Sequence, residues 1–259
     1  MNEQHNFKQE CIQEISSQGE DEHLLEITKQ WLTASFRKKY PYHFNCLGRP
    51  IIQYPQDIVA IQEIIWDVKP DLIIETGIAH GGSLILSASM LAQIDMIEAI
   101  ESGQTIDPSQ SKRKVLGIDI DIRDHNKIEI EKHPLSSRIK MIQGSSIANE
   151  TIEQVKKIAN NYNTILVFLD SNHTHDHVLA ELEAYAKLTS VNSYCVVFDT
   201  IVEDLPSNMF PDRSWGSGDN PKTAVWEYLK NNSDFEIDKN IQNKLLITVA
   251  PDGYLKRLR

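Results

Sequence analysis

Short apolar runs alternate with amphipathic stretches along most of this chain, and the period of each run predicts its element. Residues 1–22 are polar, acidic and without a clear period, which predicts a loose arm. Leu24, Leu25, Ile27, Trp31, Leu32 and Phe36 then recur at helical spacing. Residues 40–54 hold Pro41, Pro50 and several aromatics and read as irregular. Ile58, Ile61, Ile64 and Ile65 restore a helix over residues 55–68, with Pro55 in its first turn and Pro70 beyond its end.

From there strand and helix alternate. Residues 71–75, 115–119, 139–143, 164–170 and 194–198 are apolar runs of strand length. Residues 80–93, 149–160 and 175–188 carry helical spacing, and a weaker helix runs to about residue 132. A polar loop covers residues 101–114 and a longer one, with two prolines and two glycines, covers 204–220. A helix over 221–229 follows, then strands at 235–237 and 245–249 and a third over 255–258. Such alternation predicts an α/β fold: a mostly parallel sheet covered on both faces, closed by an antiparallel edge. We read residues 1–54 as an N-terminal arm and helical cap and 55–259 as the α/β domain.

Composition narrows the function. The chain has 259 residues, 41% hydrophobic and 24% charged, with a net charge of −11. The negative balance disfavours nucleic acid and anionic membrane as partners, since both require a basic footprint. Cys11, Cys46 and Cys195 are odd in number and far apart, which suits a reducing compartment. The N-terminus has no apolar signal core and no run reads as a membrane span, so a cytoplasmic location is expected.

The first strand of the alternation runs into Glu75-Thr76-Gly77-Ile78-Ala79-His80-Gly81-Gly82-Ser83. A glycine-rich turn between strand and helix lets backbone approach a ligand. The dinucleotide fingerprint is GxGxxG, which places pyrophosphate on a helix N-terminus. Here the spacing is GxxxGG, and Glu75 would repel a pyrophosphate while attracting an ammonium group. S-adenosylmethionine offers an amine and a sulfonium, so an acidic lining suits it. A purely structural tight turn is the competing account. Asp119, at the end of the next strand, is the candidate for ribose hydroxyls. Asp121 reads as a helix cap or a solvated charge. Gly144 and Ser145 end the third strand and leave room for a flat adenine, while Ser146 is equally an N-cap.

Directly after the fourth strand comes Asp170-Ser-Asn-His173-Thr-His175-Asp176-His177. Ligands gather at the carboxyl ends of parallel strands. Asp170 and Asp199 end consecutive apolar strands, and neighbouring strands lie about 4.8 Å apart. Two carboxylates meeting in a cleft suit Mg²⁺, which takes oxygen ligands and keeps waters. Histidine titrates near neutral pH, so His173 is the candidate base. His175 and His177 read as helix-surface or supporting residues, and Asp176 as a first-turn acid.

Taken together these residues resemble the cephalosporin hydroxylase family, a group of S-adenosylmethionine-dependent O-methyltransferases despite its name, with a wider likeness to macrolide-sugar and catechol O-methyltransferases. The likeness runs from about Leu47 to Leu258. It includes residues 49–53 (RPIIQ), 70–77 (PDLIIETG), Gly81-Gly82-Ser83, Leu169-Asp170-Ser171, residues 173–178 (HTHDHV), Trp215-Gly216-Ser217-Gly218, Pro221, Ala224-Val225 and residues 253–257 (GYLKR). The resemblance implies a Rossmann-like class I methyltransferase fold with a seven-stranded sheet, and oligomers are common in the family. It implies that Gly77 and Ser83 contact the cofactor's methionine end and Asp119 its ribose, and with the reading of the residues above the expected cofactor-binding set is Glu75, Gly77, Ala79, Ser83, Asp119, Gly144, Ser145 and Asp170. It implies that Asp170 and Asp199 bind Mg²⁺ and that His173 is the base.

Two positions depart from the pattern. Relatives follow the fifth strand with two adjacent acids, or an acid and an amide, where this chain has Phe198 and Asp199. A shift of one in register, Glu203, a water, or weakened metal binding each accounts for that. The family commonly has Arg at His80.

The leading expectation is methyl transfer to a hydroxyl of a sugar or similar polar metabolite, a sugar nucleotide or glycan included, with the loop around Trp215 covering the acceptor. A homo-oligomer is expected, and the helix from Leu24 to Phe36 serves equally as its contact or as an intramolecular cap. The alternatives are a non-haem iron hydroxylase using Asp170, His173 and His175 as a facial triad, a non-catalytic cofactor-binding scaffold, and, most weakly, a nicotinamide dehydrogenase.

Overall fold

The computed structural model describes residues 3–259. Two helices, α1 (Glu3–Glu20) and α2 (Glu22–Arg37), lead into a short antiparallel hairpin, β1 (Phe44–Cys46) and β2 (Arg49–Ile51). Helix α3 (Pro55–Val68) follows. Then come β3 (Leu72–Thr76), α4 (Gly82–Ser102), β4 (Lys114–Asp119), α5 (Asp124–Lys132), β5 (Ile139–Gln143), α6 (Asn149–Ala159), β6 (Ile165–Leu169), α7 (His175–Tyr185) and β7 (Tyr194–Val197). The chain closes with α8 (Pro221–Asn231), β8 (Phe235–Ile237), α9 (Lys239–Leu245) and β9 (Tyr254–Arg257).

The main sheet has seven strands in the order β5-β4-β3-β6-β7-β9-β8. Strands β3 to β7 run parallel, whereas β9 is antiparallel to both β7 and β8. This is the Rossmann-like arrangement with an antiparallel edge that the alternation predicts. Strands β3 and β6 are buried along their whole length, as expected where helices cover both faces. The chain leaves β3 in one direction, to β4 and β5, and returns to β6 on its other side. Ligands of open α/β sheets bind at that switch point.

Several elements differ from the sequence reading. Residues 3–20 are helical, not a loose arm, because α1 leans on α9: the Gln18 amide donates to the Asn243 carbonyl. Residues 1 and 2 lie outside the described part. The irregular 40–54 segment contains the β1–β2 hairpin. Residues 245–249 form no strand. Leu246 turns into the left-handed region, and Val249 N donates to Asp57 Oδ2 at 3.0 Å instead of to a neighbouring strand. The last strand is β9, and α9 precedes the turn. Helix α4 extends to Ser102 and is long and apolar enough to cross a membrane by length and composition. Here it packs along the sheet, with Leu84, Ile85 and Leu91 wholly buried.

The cap is fixed intramolecularly. Trp31 and Phe36 of α2 pack edge-on or tilted against Tyr54, with ring centroids 5.8 and 5.5 Å away, and Tyr54 stacks on Tyr40 at 5.6 Å. Such aromatic pairs each add about 1 kcal/mol beyond their buried area. Ser35 Oγ and the Tyr54 hydroxyl are hydrogen-bonded at 2.7 Å.

Candidate active site

The loop after β3 is held from three sides. Asp119 Oδ2, at the end of β4, accepts from Ile78 N at 2.8 Å and Ala79 N at 3.3 Å. Arg49 donates from Nε and Nη2 to the His80 carbonyl at 2.9 and 2.7 Å, and its Nη2 also donates to Asn126 Oδ1. Asn126 Nδ2 donates to the Ala79 carbonyl. Gly77 has φ +88°, and a Cβ there would strike the Asp170 carbonyl oxygen. The glycine thus lets the ends of β3 and β6 close together, so the freedom is spent first on chain packing. Gly81 and Gly82 are likewise set by Ile130 and by the Pro50 backbone.

Beside this loop lies a cavity of about 210 Å³, lined by Glu75, Gly77, Ala79 and Ser83 from one side and Asp170, His173 and Asp199 from the other. Glu75 is only 2% exposed. One carboxylate oxygen accepts from the Ser83 hydroxyl, and the other has no partner. Burial pushes the Glu75 carboxyl up to about 7, partly offset by the Ser83 hydrogen bond. A buried acceptor without a donor costs about 1–3 kcal/mol. An ammonium group of a bound ligand would satisfy it, and the amine of S-adenosylmethionine has that chemistry.

Asp170, His173 and Asp199 each place one ligand-type atom within 4.8 Å of the others. Asp170 follows β6 directly, and its N–H donates to the Thr76 carbonyl at 3.0 Å. Asp199 follows β7 and sits in the left-handed region at φ 55°. A non-glycine residue held there stores backbone strain, which structures retain where the side chain's aim matters. Burial and then the Asp199 charge push the Asp170 carboxyl well above the usual carboxylate range. Burial also raises Asp199, while His173 pulls it back. His173 Nδ1 lies 3.1 Å from Asp199 Oδ2. Two half-buried acids, with the Asp199 charge raising Asp170, are what a divalent cation relieves, and one or two carboxylates with waters are sufficient for Mg²⁺. The donor set therefore fits the ion.

Phe198 resolves one open point. It is 4% exposed, with its ring 5.8 Å from Phe168, so it packs into the cavity floor and Asp199 alone carries the acid of that strand end. Glu203 is excluded from the cluster. Its carboxylate accepts from Gly218 N at 2.7 Å and from the Asn220 side chain, pinning the loop before α8. His175 is excluded too: Nδ1 meets Thr223 Oγ1 at 2.8 Å and Nε2 lies 3.3 Å from Glu227. The facial triad of Asp170, His173 and His175 is thus not assembled. His177 Nε2 contacts Ser146 and Ser171 at 3.0 and 3.2 Å, and Glu181 at 3.5 Å.

Asp119, Gly144 and Ser145 lie outside this cavity's lining. Asp119 uses both oxygens locally, the second accepting from Asp121 N. Gly144 N donates to the Asp119 carbonyl, and Ser145 begins the turn into α6. Ser146 is buried rather than capping; Ala148 precedes α6. Asp121 is an exposed charge, and Asp176 lies in the first turn of α7. The sequence reading gave no role to Arg49, Tyr42 or Gln53. Tyr42 and Gln53 line the cavity, and only the burial of the 49–53 segment beside the glycine loop discloses it.

Comparisons with known proteins bear on this site. A protein-family model described as Rhamnosyl O-methyltransferase/CmcI matches residues 38–258. The Rhamnosyl O-methyltransferase of Mycobacterium tuberculosis (strain H37Rv) is 31% identical over 206 residues, 78% of this chain and 73% of that protein. That of Mycobacterium leprae (strain TN) is 29% identical over 213 residues, 82% of each. Among solved structures, apo CmcI aligns with TM-score 0.53 at 19% identity over 84% of this chain and 77% of its own. A CmcI structure described as Mg-SAM gives 0.52 at 18% identity, covering 84% and 78%. These two structural likenesses speak to the fold.

Proposed function

Because the chain belongs to the Rhamnosyl O-methyltransferase/CmcI family, we propose that it transfers a methyl group from S-adenosylmethionine to a sugar hydroxyl with help from Mg²⁺. The observation that carries this reading is the convergence of Asp170, His173 and Asp199 beside the orphaned Glu75 carboxylate in one cavity. When bound, S-adenosylmethionine supplies an electrophilic methyl on sulfur, and Mg²⁺ supplies Lewis acidity at oxygen.

The protein's own groups do the rest. Glu75 and Ser83 hold the ammonium end of the donor, with the Gly77–Ala79 backbone beside it. Asp119, whose oxygens already accept from Ile78, Ala79 and Asp121, would take the ribose through its remaining lone pairs, and the Gly144–Ser145 turn would take the adenine. Asp170 and Asp199 would hold the cation, since Phe198 offers no oxygen donor. His173 turns Nδ1 to Asp199, which leaves Nε2 to receive the acceptor's hydroxyl proton. Nε2 would hold the proton that the acceptor hydroxyl gives up on methylation. Rate enhancement comes from positioning and from charge stabilisation.

Calorimetry with S-adenosylmethionine, with and without Mg²⁺, tests the donor site. His173→Ala and Asp170→Ala, assayed for donor binding and turnover separately, test the roles. His173→Ala binds donor normally and loses about 10²–10⁴-fold in kcat. Full turnover by both variants sinks the assignment.

A further inference from the structure

The geometry points to an anionic acceptor: a sugar bearing a phosphate or a carboxylate, held by Arg37, Lys39 and Arg213 at the mouth of the cavity. This deepens the sugar methyltransferase reading and rests on it.

Outward from Asp170, His173 and Asp199 the site opens into a second, larger space of about 980 Å³. Its floor is acidic. Its walls are aromatic, with Tyr42, Phe210 and Trp215 among them. Its rim carries Arg37, Lys39 and Arg213. A chain with 37 acidic and 26 basic residues has no average tendency to gather three cations at one opening. Among the described residues none of the three is in an ion pair, although Asp212 lines the same rim next to Arg213. Asp170, Asp199 and Asp212 balance the three cations over the whole lining, but two of those acids lie on the floor, so the opening is left to attract anions while the floor attracts cations.

Two of the three cations are also placed by something stiffer than their own side chains. Trp215 packs 5.1 Å from the His173 ring, and the Arg213 guanidinium lies over the same indole at 5.7 Å. Stacking orients the guanidinium plane and leaves its N–H edges for a bidentate oxyanion. Lys39 sits in the left-handed region at φ 54°, where its N–H caps α2 through the Phe36 carbonyl. Phe36 and Arg37 precede the segment that matches the family, and Phe36 packs edge-on against Phe210 at 6.2 Å. The rim is therefore built partly by α2, which lies before the family-matched segment. A neutral glycoside would use the aromatic walls and leave all three charges idle. A sugar with one hydroxyl at His173 and an anionic substituent at the mouth uses both.

The test is calorimetric titration of the full chain, at constant ionic strength, with UDP as the phosphate probe and glucuronate as the carboxylate probe. At least one binds saturably, and the R37Q/K39Q/R213Q variant weakens it by about tenfold or more, while S-adenosylmethionine binds that variant as it binds wild type. UDP alone binding assigns a phosphate, glucuronate alone a carboxylate. If the triple variant loses its folded circular dichroism, Arg213→Gln, exposed on its loop, carries the same comparison. The proposal is overturned if neither probe binds, or if removing the cations leaves the affinity unchanged. Failure to bind S-adenosylmethionine would instead sink the methyltransferase reading and leave the anion result standing.

Discussion

His173 Nδ1 and Asp199 Oδ2 lie 3.1 Å apart at the tips of two adjacent strands. The carboxylate's charge favours a proton on the imidazole nitrogen that faces it, which leaves the other free to take one. Asp199→Asn removes that charge and one of the two hard oxygen donors. Turnover falls by about 10²–10⁴-fold, while donor affinity stays within about threefold. Steady-state kinetics across a Mg²⁺ series checks this, and unchanged kcat would remove Asp199 from the chemistry.

Donor affinity depends on pH through Glu75. Burial raises this carboxyl to about 7, so near neutrality much of it is protonated in the empty site. An ammonium ligand needs the ionised form. Affinity for S-adenosylmethionine thus rises from pH 6 to 7.5 and declines once the ligand's own amine, with an ordinary α-amino pKa near 8, loses its proton. Glu75→Gln flattens the rising limb. Calorimetric Kd values at four or five pH points read the difference.

Gly77→Ala tests the closure of the switch point. The new Cβ would meet the Asp170 carbonyl oxygen and would also sit at a positive φ. Incompatible backbone of this kind costs on the order of 1–3 kcal/mol. Thermal unfolding should shift down by several degrees, and donor binding should weaken as Asp170 is displaced. A variant with the wild-type melting temperature would contradict the packing described.

Asp57 makes stability itself pH-dependent. It is fully buried, with Tyr254 OH donating to Oδ1 at 2.7 Å and Val249 N to Oδ2 at 3.0 Å. Burial raises its pKa to about 6, above the value in the unfolded chain. The folded state therefore binds the proton more tightly, and this contribution is complete below about pH 4 and is lost as pH rises through 6. The amount is up to roughly 3 kcal/mol. Denaturant unfolding of wild type and Asp57→Asn at pH 4 to 7.5 isolates it, since only wild type should lose this increment with rising pH.

The five parallel strands are legible because buried strands write themselves as short unbroken apolar runs, such as Ile165–Leu169. The Asp170, His173 and Asp199 convergence follows from the same runs, since adjoining strand ends fix where the next residue falls. What was illegible depends on distant partners. Residues 245–249 look like a strand, but Asp57, nearly two hundred residues earlier, takes the Val249 N–H. Helix α1 has no apolar period of its own and is recognisable only by its contact with α9. The departure at Phe198 is visible in the sequence, whereas Glu203's engagement with Asn220 is a matter of loop geometry that no spacing encodes. Arg49 reaches the glycine loop across a turn whose path the prolines conceal.

The contact between Phe36 and Phe210 joins the leading helical pair to the loop that faces incoming acceptors. Chemistry and recognition are thereby built from separable pieces of chain. Exchanging the first 37 residues for those of a relative would re-dress the entrance while leaving the methyl-transferring tips untouched, which makes this segment the natural handle for redirecting the enzyme to other glycosides.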